Sequence, residues 1–386
     1  MSMAALRPLP DRPLRIALDA TAVPALRTGA GNYILELARA LPRVDPGNEY
    51  VVFVPRPQAR EFTVDAPNVR LVPIPLGGRP QRLLWEQLRL PRALAREGVD
   101  VLHSPHYTMP LLKAARSVVT ICDMTFFLFP HLHQAMKRYF FRPMIRWSAG
   151  HADRLITISD SARADLLRLL PVPAERVVTV PLAAGDAFRP LPAPEVAAVC
   201  RRLGLTAQGY IGFVGVVEPR KDVPGLVEAF GGVAAAFPDL QLAIAGPSGW
   251  GAAAVARRIA ALGLQSRVHM LGFVEPADLP AFYNGARAIV YPSRYEGFGL
   301  PVLEAMKCGV PVVTSDVAAL PEVAGSAALL VPAGDLGALR AALLRVLQDG
   351  ALARDLADRG RVRGAAFSWE ACARATAAVY RAACGG

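Results

Sequence analysis

Short runs of apolar and β-branched residues recur along this chain and alternate with stretches of helical spacing. In the first half the runs are RIALDA (15–20), YVVFVP (50–55), RLVPIP (70–75), DVLHS (100–104), SVVTICD (117–123), RLITIS (154–159) and RVVTVP (176–181). In the second half they are YIGFVG (210–215), QLAIAG (241–246), RVHMLGF (267–273), AIVYPS (288–293), VPVVTS (310–315) and ALLVP (328–332). Continuous apolar runs mark strands buried on both faces of a parallel sheet. Between them, Ala/Leu/Arg segments such as 33–41, 82–96, 161–170, 252–262 and 338–348 carry helical spacing. The pattern predicts an α/β fold of two Rossmann-like, doubly wound domains facing each other across a cleft. An Ala- and Pro-rich stretch, 183–194, separates the two series and puts the domains at 1–190 and 191–366. The last segment, 367–386, reads as an amphipathic helix anchored by Trp369 that returns to the first domain.

Size and composition agree with two cores. The chain has 386 residues, 53% of them apolar and only 19% charged, which argues against disorder. No apolar stretch reaches transmembrane length, and the first twenty residues lack a signal-peptide core, so a cytoplasmic location is expected. Five scattered cysteines without a CxxC pair fit reduced thiols, and the six histidines show no metal spacing, so neither a metal nor a cofactor is expected. The formal charge of +11 is uneven: residues 1–190 hold 25 Lys+Arg against 16 Asp+Glu, net +9. A basic half attracts an anionic membrane, a phosphate-bearing substrate or nucleic acid. The stretches 82–92 and 133–147 interleave cations with leucines and aromatics, which fits a peripheral contact with an anionic bilayer or, equally, core residues with a solvated basic face.

Three segments carry chemistry. In YPSRYEGFGLPVLEAMKCGVPVVTS (291–315), a strand leads through a glycine-rich loop into a helix. Gly297 and Gly299 let the backbone approach a ligand, and the amides of Gly299 and Leu300 lie near a helix N-terminus at a sheet's carboxyl end. Glu296 and Glu304, eight apart, could face one crevice or be plain surface carboxylates. In YIGFVGVVEPRKDVPGLVEAF (210–230), Arg220 and Lys221 stand between a strand and a helix, where adjacent cations can clamp a diphosphate or form a solvated basic turn. Near the start, RTGAGNY (27–33) places Gly29 and Gly31 between a strand and a helix, a phosphate-loop signal that is weak on its own because the full GxGxxG spacing is missing.

These segments, together with DVLHSPHYTMP (100–110), SVVTICDMTFFLFP (117–130) and TISDSARADL (157–166), resemble the family-four retaining glycosyltransferases of GT-B fold over nearly the whole chain. The RTGAGNY segment resembles the corresponding loop of bacterial polysaccharide mannosyltransferases in that family. The resemblance implies a nucleotide-sugar donor as co-substrate, bound mainly by the second domain. It also implies a glycan or lipid-linked acceptor on the first domain, retention of anomeric configuration and no metal. By it, Glu296 meets the donor sugar with loop amides from Phe298, Gly299 and Leu300. Glu304 binds the nucleotide ribose, and Arg220 and Lys221 bind the diphosphate. Gly29 and Gly31 close over the phosphates. Apart from the resemblance, Asp123 is a candidate to orient the acceptor hydroxyl. Replacing Lys221 or Glu304 is expected to weaken donor binding and leave the fold intact.

One position departs from the family. Relatives carry a His before the aspartate, where it contacts the sugar's C6 hydroxyl; this chain has Cys122 followed by Asp123. A thiol is a weak donor. Three readings follow: the donor lacks a 6-hydroxyl, His103 or His106 substitutes, or activity is reduced. The motifs favour mannose-type donors, GDP-mannose or a 6-deoxy analogue, in cell-surface polysaccharide or lipopolysaccharide synthesis. The rivals are a non-catalytic nucleotide-sugar binder and a nucleotide-sugar epimerase on the same fold; nucleic acid is not an expected partner.

Overall fold

The computed structural model describes residues 12–24, 29–62, 64, 66–133 and 135–385. The chain divides into two compact units, Met1–Leu182 with Trp369–Gly386, and Ala183–Ser368. The division falls after Leu182, at the beginning of the Ala/Pro-rich stretch rather than after residue 190.

The first unit is built on seven parallel strands: β1 (Arg15–Asp19), β2 (Glu49–Pro55), β3 (Val69–Ile74), β4 (Val101–Ser104), β5 (Arg116–Ile121), β6 (Arg154–Thr157) and β7 (Val177–Thr179). Their order is β3-β2-β1-β4-β5-β6-β7, so the winding direction reverses between β1 and β4. β1 and β4 pair in register with Leu18 opposite His103. On one face, Ala17, Val51, Phe53 and Leu102 pack with Trp85, Leu90 and Leu94 from the segment that follows β3. On the other, the helix Trp369–Gly385 docks: Trp369 stacks on Tyr33 at 6.4 Å between ring centroids, and Tyr380 meets His103.

The 82–96 segment is not one regular helix. It runs as a helix Arg79–Leu84, a π turn Trp85–Arg89 and a helix Leu90–Glu97, closed by Gly98 in the left-handed conformation. The wider π turn presents consecutive residues, Trp85 and Glu86, to the interior. Leu84 and Leu88 are left outside, 61% and 53% exposed.

The second unit carries six parallel strands: β8 (Tyr210–Val214), β9 (Gln241–Ala245), β10 (Val268–Gly272), β11 (Ala288–Tyr291), β12 (Val312–Ser315) and β13 (Leu329–Val331). The order β10-β9-β8-β11-β12-β13 reverses between β8 and β11. Such reversals open a crevice at the carboxyl ends of the strands, the usual ligand position in this architecture.

Candidate active site

The loops leaving β8 and β11 are stitched together at that reversal. After β8 the chain makes a short 3-10 turn, Pro219–Lys221, and enters the helix Val223–Ala234. After β11 it runs through Ser293–Gly299 into the helix Leu300–Lys307. Arg294 donates its backbone N–H to the Arg220 carbonyl at 2.8 Å, and Arg220 Nη1 donates to the Tyr295 carbonyl at 2.7 Å.

Four charges converge here. Lys221 Nζ stands 2.6 Å from Glu296 Oε1, and Arg220 Nη1 stands 2.8 Å from Glu296 Oε2. Arg220 Nη2 is also 2.6 Å from Glu218 Oε1. Lys221 further donates to the hydroxyl of Tyr291, the last residue of β11. Burial alone would raise the Glu296 carboxyl, but Arg220 and Lys221 outweigh it and hold the group near 2, so it is ionised at neutral pH. The residues expected to clamp a phosphate are therefore paired with the residue expected to meet the sugar, and 75 positions of sequence separate Lys221 from Glu296.

Glu304 lies in the second turn of Leu300–Lys307 and accepts a 2.7 Å hydrogen bond from the hydroxyl of Tyr283. Here burial wins over that bond, and the carboxyl is pushed up to about 7. Gly299 caps the helix at φ +107°, with no side chain on its N-terminal amides. Phe298 turns inward and packs edge-on to Phe367 at 5.9 Å, so its backbone is the part left for a ligand. Sequence reasoning missed Tyr291, Tyr283 and Glu218. Tyr291 ends a visible strand motif, whereas nothing in LPAFYNG singles out Tyr283.

In the first unit, Gly29 and Gly31 form the first turn of the helix Gly29–Val44 instead of a loop ahead of it, and Arg27 and Thr28 lie outside the described residues. Cys122 follows β5 and is buried, with its thiol pushed up by burial and by Asp123. Asp123 Oδ1 accepts from the Thr125 N–H at 2.9 Å and its hydroxyl at 2.6 Å, which starts a short helical turn. His103 is a core residue. Its Nδ1 pairs with the Tyr380 hydroxyl at 2.7 Å and its Nε2 with Thr120 Oγ1 at 2.8 Å, and burial holds it neutral, near 3. With both nitrogens engaged, it does not stand in for the missing family histidine. His106 packs against Tyr107 and Phe141. Among the described residues, no three His, Cys, Asp or Glu side chains gather as a metal site.

Comparison with known proteins decides the family. Residues 203–363 match the family described as Glycosyl transferases group 1, and residues 27–183 match Glycosyltransferase Family 4. An O-antigen chain mannosyltransferase B of Escherichia coli is 33% identical over 372 residues, covering 92% of this chain and 96% of that enzyme. The chain belongs to the family-four glycosyltransferases. An MMP alpha-(1->4)-mannosyltransferase of Mycolicibacterium hassiacum is 29% identical, covering 86% of this chain and 82% of that one. Among solved structures, sucrose-phosphate synthase of Thermosynechococcus elongatus superposes with a TM-score of 0.76 at 26% identity, over 96% and 98% of the two chains. The two parallel-sheet units are thus the two domains of a GT-B glycosyltransferase, and its relatives include bacterial mannosyltransferases of O-antigen synthesis.

Proposed function

We propose that this glycosyltransferase moves a mannose-type hexose from a nucleotide diphosphate donor to a glycan or lipid-linked acceptor. Retention of configuration and independence of metal complete the proposal. The observation that carries it is the Glu218–Arg220–Glu296–Lys221 cluster beside the glycine-capped helix Leu300–Lys307. A buried lysine and a half-buried arginine oriented at a sheet's carboxyl end suit a diphosphate whose charge grows as the sugar departs. When the diphosphate draws Arg220 and Lys221 towards itself, the ionised Glu296 is released to accept hydrogen bonds from sugar hydroxyls. Glu304, set in the helix beyond the loop, serves the ribose. The mannosyltransferase relatives support a mannose-type sugar, and Cys122 supports a donor without a 6-hydroxyl contact.

The exposed leucines suit a peripheral station on a membrane. Leu111 and Leu112 are 55% and 68% exposed, and the Leu111 N–H donates to Gln87 Oε1 at 2.9 Å, which ties their loop to the turn carrying Leu84 and Leu88. Exposed Arg89, Arg92 and Lys113 accompany them. No described helix is long and apolar enough to cross a membrane.

The test is product analysis with GDP-mannose, its 6-deoxy analogue and UDP-glucose, each with a mannose-terminated lipid-linked acceptor and with or without EDTA. The proposal expects an α-linked product from an α-configured donor, unaffected by EDTA. A β-linked product, or transfer abolished by EDTA, would refute the mechanism.

A further inference from the structure

Two short helices of the second unit carry Glu304 and its partner, and both also grip the stretch with which that unit begins. Tyr283 lies in the helix Leu279–Gly285, and Glu304 in Leu300–Lys307. The Tyr283 hydroxyl donates to Glu304 Oε2 at 2.7 Å, while Oε1 has no hydrogen-bond partner among the described residues. The last torsion of a glutamate has little preference of its own. The bond from Tyr283 therefore fixes the plane in which Oε1 is presented to a ligand hydroxyl.

Tyr283 is braced in turn. It is fully buried, and its ring meets Phe188 edge-on at 5.7 Å between centroids. The next residue, Asn284, clasps the backbone beyond Phe188: its Nδ2 donates to the Arg189 carbonyl at 2.9 Å, and the Leu191 N–H donates to its Oδ1 at 3.0 Å. At the end of the other helix, Lys307 Nζ donates to the Ala184 carbonyl at 3.0 Å. The Phe188 N–H closes a turn onto the Gly185 carbonyl at 3.1 Å. Residues 184–191 are thus pinned at both ends to the helices of Glu304 and Tyr283, with Phe188 between the pins.

We propose that Tyr283 is a positioning residue that orients Glu304 towards the nucleotide ribose, and that Phe188, in the stretch that follows the first unit along the chain, holds Tyr283 in place. The inference rests on reading Glu304 as the acceptor of the ribose hydroxyls. An ionised carboxylate accepts at both oxygens, whereas the protonated form gives one of them to a proton. Burial pushes Glu304 up to about 7, and the Tyr283 hydroxyl works against that rise by favouring the ionised form. Cys308 and Tyr291 also act on the pair, and burial pushes both of them, like Tyr283, above their ordinary values, so none of the three ionises near neutrality. Lys307 is turned away to the carbonyls of the pinned stretch.

The experiment titrates GDP-mannose and UDP-glucose, neither of which gains or loses a proton between pH 6 and 8.5, into the full-length parent, Tyr283→Phe, Phe188→Ala and Phe188→Tyr. Affinity of the parent should rise with pH as Glu304 ionises. Tyr283→Phe should bind roughly fivefold more weakly at pH 7. That deficit should narrow at pH 8.5, because a carboxyl deprived of the hydroxyl ionises later. Phe188→Ala should show the same pattern in smaller measure, and Phe188→Tyr, which keeps the ring, should match the parent. Phe188 is half-buried, so its substitution keeps the test open if Tyr283→Phe does not fold. A deficit that is equal at pH 6, 7 and 8.5 would overturn the positioning role. Phe188→Ala matching the parent at every pH would overturn the bracing. Failure of the parent to bind either probe would overturn the donor reading itself, and the proposal with it.

Discussion

Glu296 and Glu304 sit in one motif and are both buried, yet their environments drive them apart, to about 2 and about 7. Glu296 has two cations; Glu304 has one tyrosine hydroxyl. The difference makes Glu304 a liability to folding that grows with pH. Its ordinary value is 4.5, so below that pH both folded and unfolded states are protonated and no penalty exists. Above it the unfolded state ionises first, and stability is lost as pH rises through about 7, by on the order of 2–4 kcal/mol in full. Glu304→Gln keeps the shape without the charge. Its melting temperature should gain on the parent as pH rises from 5 to 8, and a constant difference would show that Glu304 does not titrate in this range. Lys221 departs from the sequence expectation that its replacement leaves the fold intact. Because it is bonded to Glu296 inside the protein, Lys221→Met should destabilise the second unit by about 3 kcal/mol, the low end for a broken buried pair because Arg220 remains. Urea denaturation of Lys221→Met and of Lys221→Met/Glu296→Gln checks this, and the double variant should recover part of the loss. At Cys122, substitution by His should raise kcat/KM for GDP-mannose relative to its 6-deoxy analogue up to roughly tenfold, the worth of one good hydrogen bond. An unchanged ratio would mean that another residue holds the 6-hydroxyl.

At the scale of elements, the strands were legible because each of the thirteen apolar runs became one, the inner strands buried almost throughout and the edge strands β3, β7, β10 and β13 only in part. The break at Trp85–Arg89 was not legible, since π and α turns share nearly the same apolar spacing and only packing separates them. Motif positions for Arg220, Lys221, Glu296 and Glu304 were readable, but their pairing was not. It depends on β8 and β11 lying side by side, a long-range fact that no local pattern records. The loops also depend on glycine. A Cβ on Gly246 would lie 2.0 Å from the Gly215 carbonyl oxygen, a backbone atom that cannot move aside, at φ +142°. A Cβ on Gly299 would lie 2.8 Å from a Leu320 methyl, which can rotate, at φ +107°. Gly246→Ala should therefore cost more than Gly299→Ala, for which about 1–3 kcal/mol is expected. Denaturant midpoints that rank the two in reverse would contradict the packing argument.

At the scale of the whole molecule, the excess of positive charge falls in the first unit, where one group of exposed leucines accompanies it. The excess of +9 over residues 1–190 accompanies Leu84, Leu88, Leu111 and Leu112, while Trp85 and Leu90, which the sequence grouped with them, belong to the core. Vesicles rich in anionic lipid should float the protein at low salt, high salt should weaken the association, and Leu88→Ser/Leu112→Ser should reduce it severalfold. Equal flotation with neutral vesicles would contradict the electrostatic part. The central claim is that a nucleotide-sugar donor is held by the crevice between β8 and β11. Calorimetric titration of GDP and UDP into the parent and into Glu304→Gln, at pH 8 where Glu304 is ionised, tests it most directly. The account predicts binding of a nucleoside diphosphate by the parent and at least a tenfold loss in Glu304→Gln without loss of folding. Equal affinity in the two proteins, or no binding of either nucleotide by the parent, would contradict it.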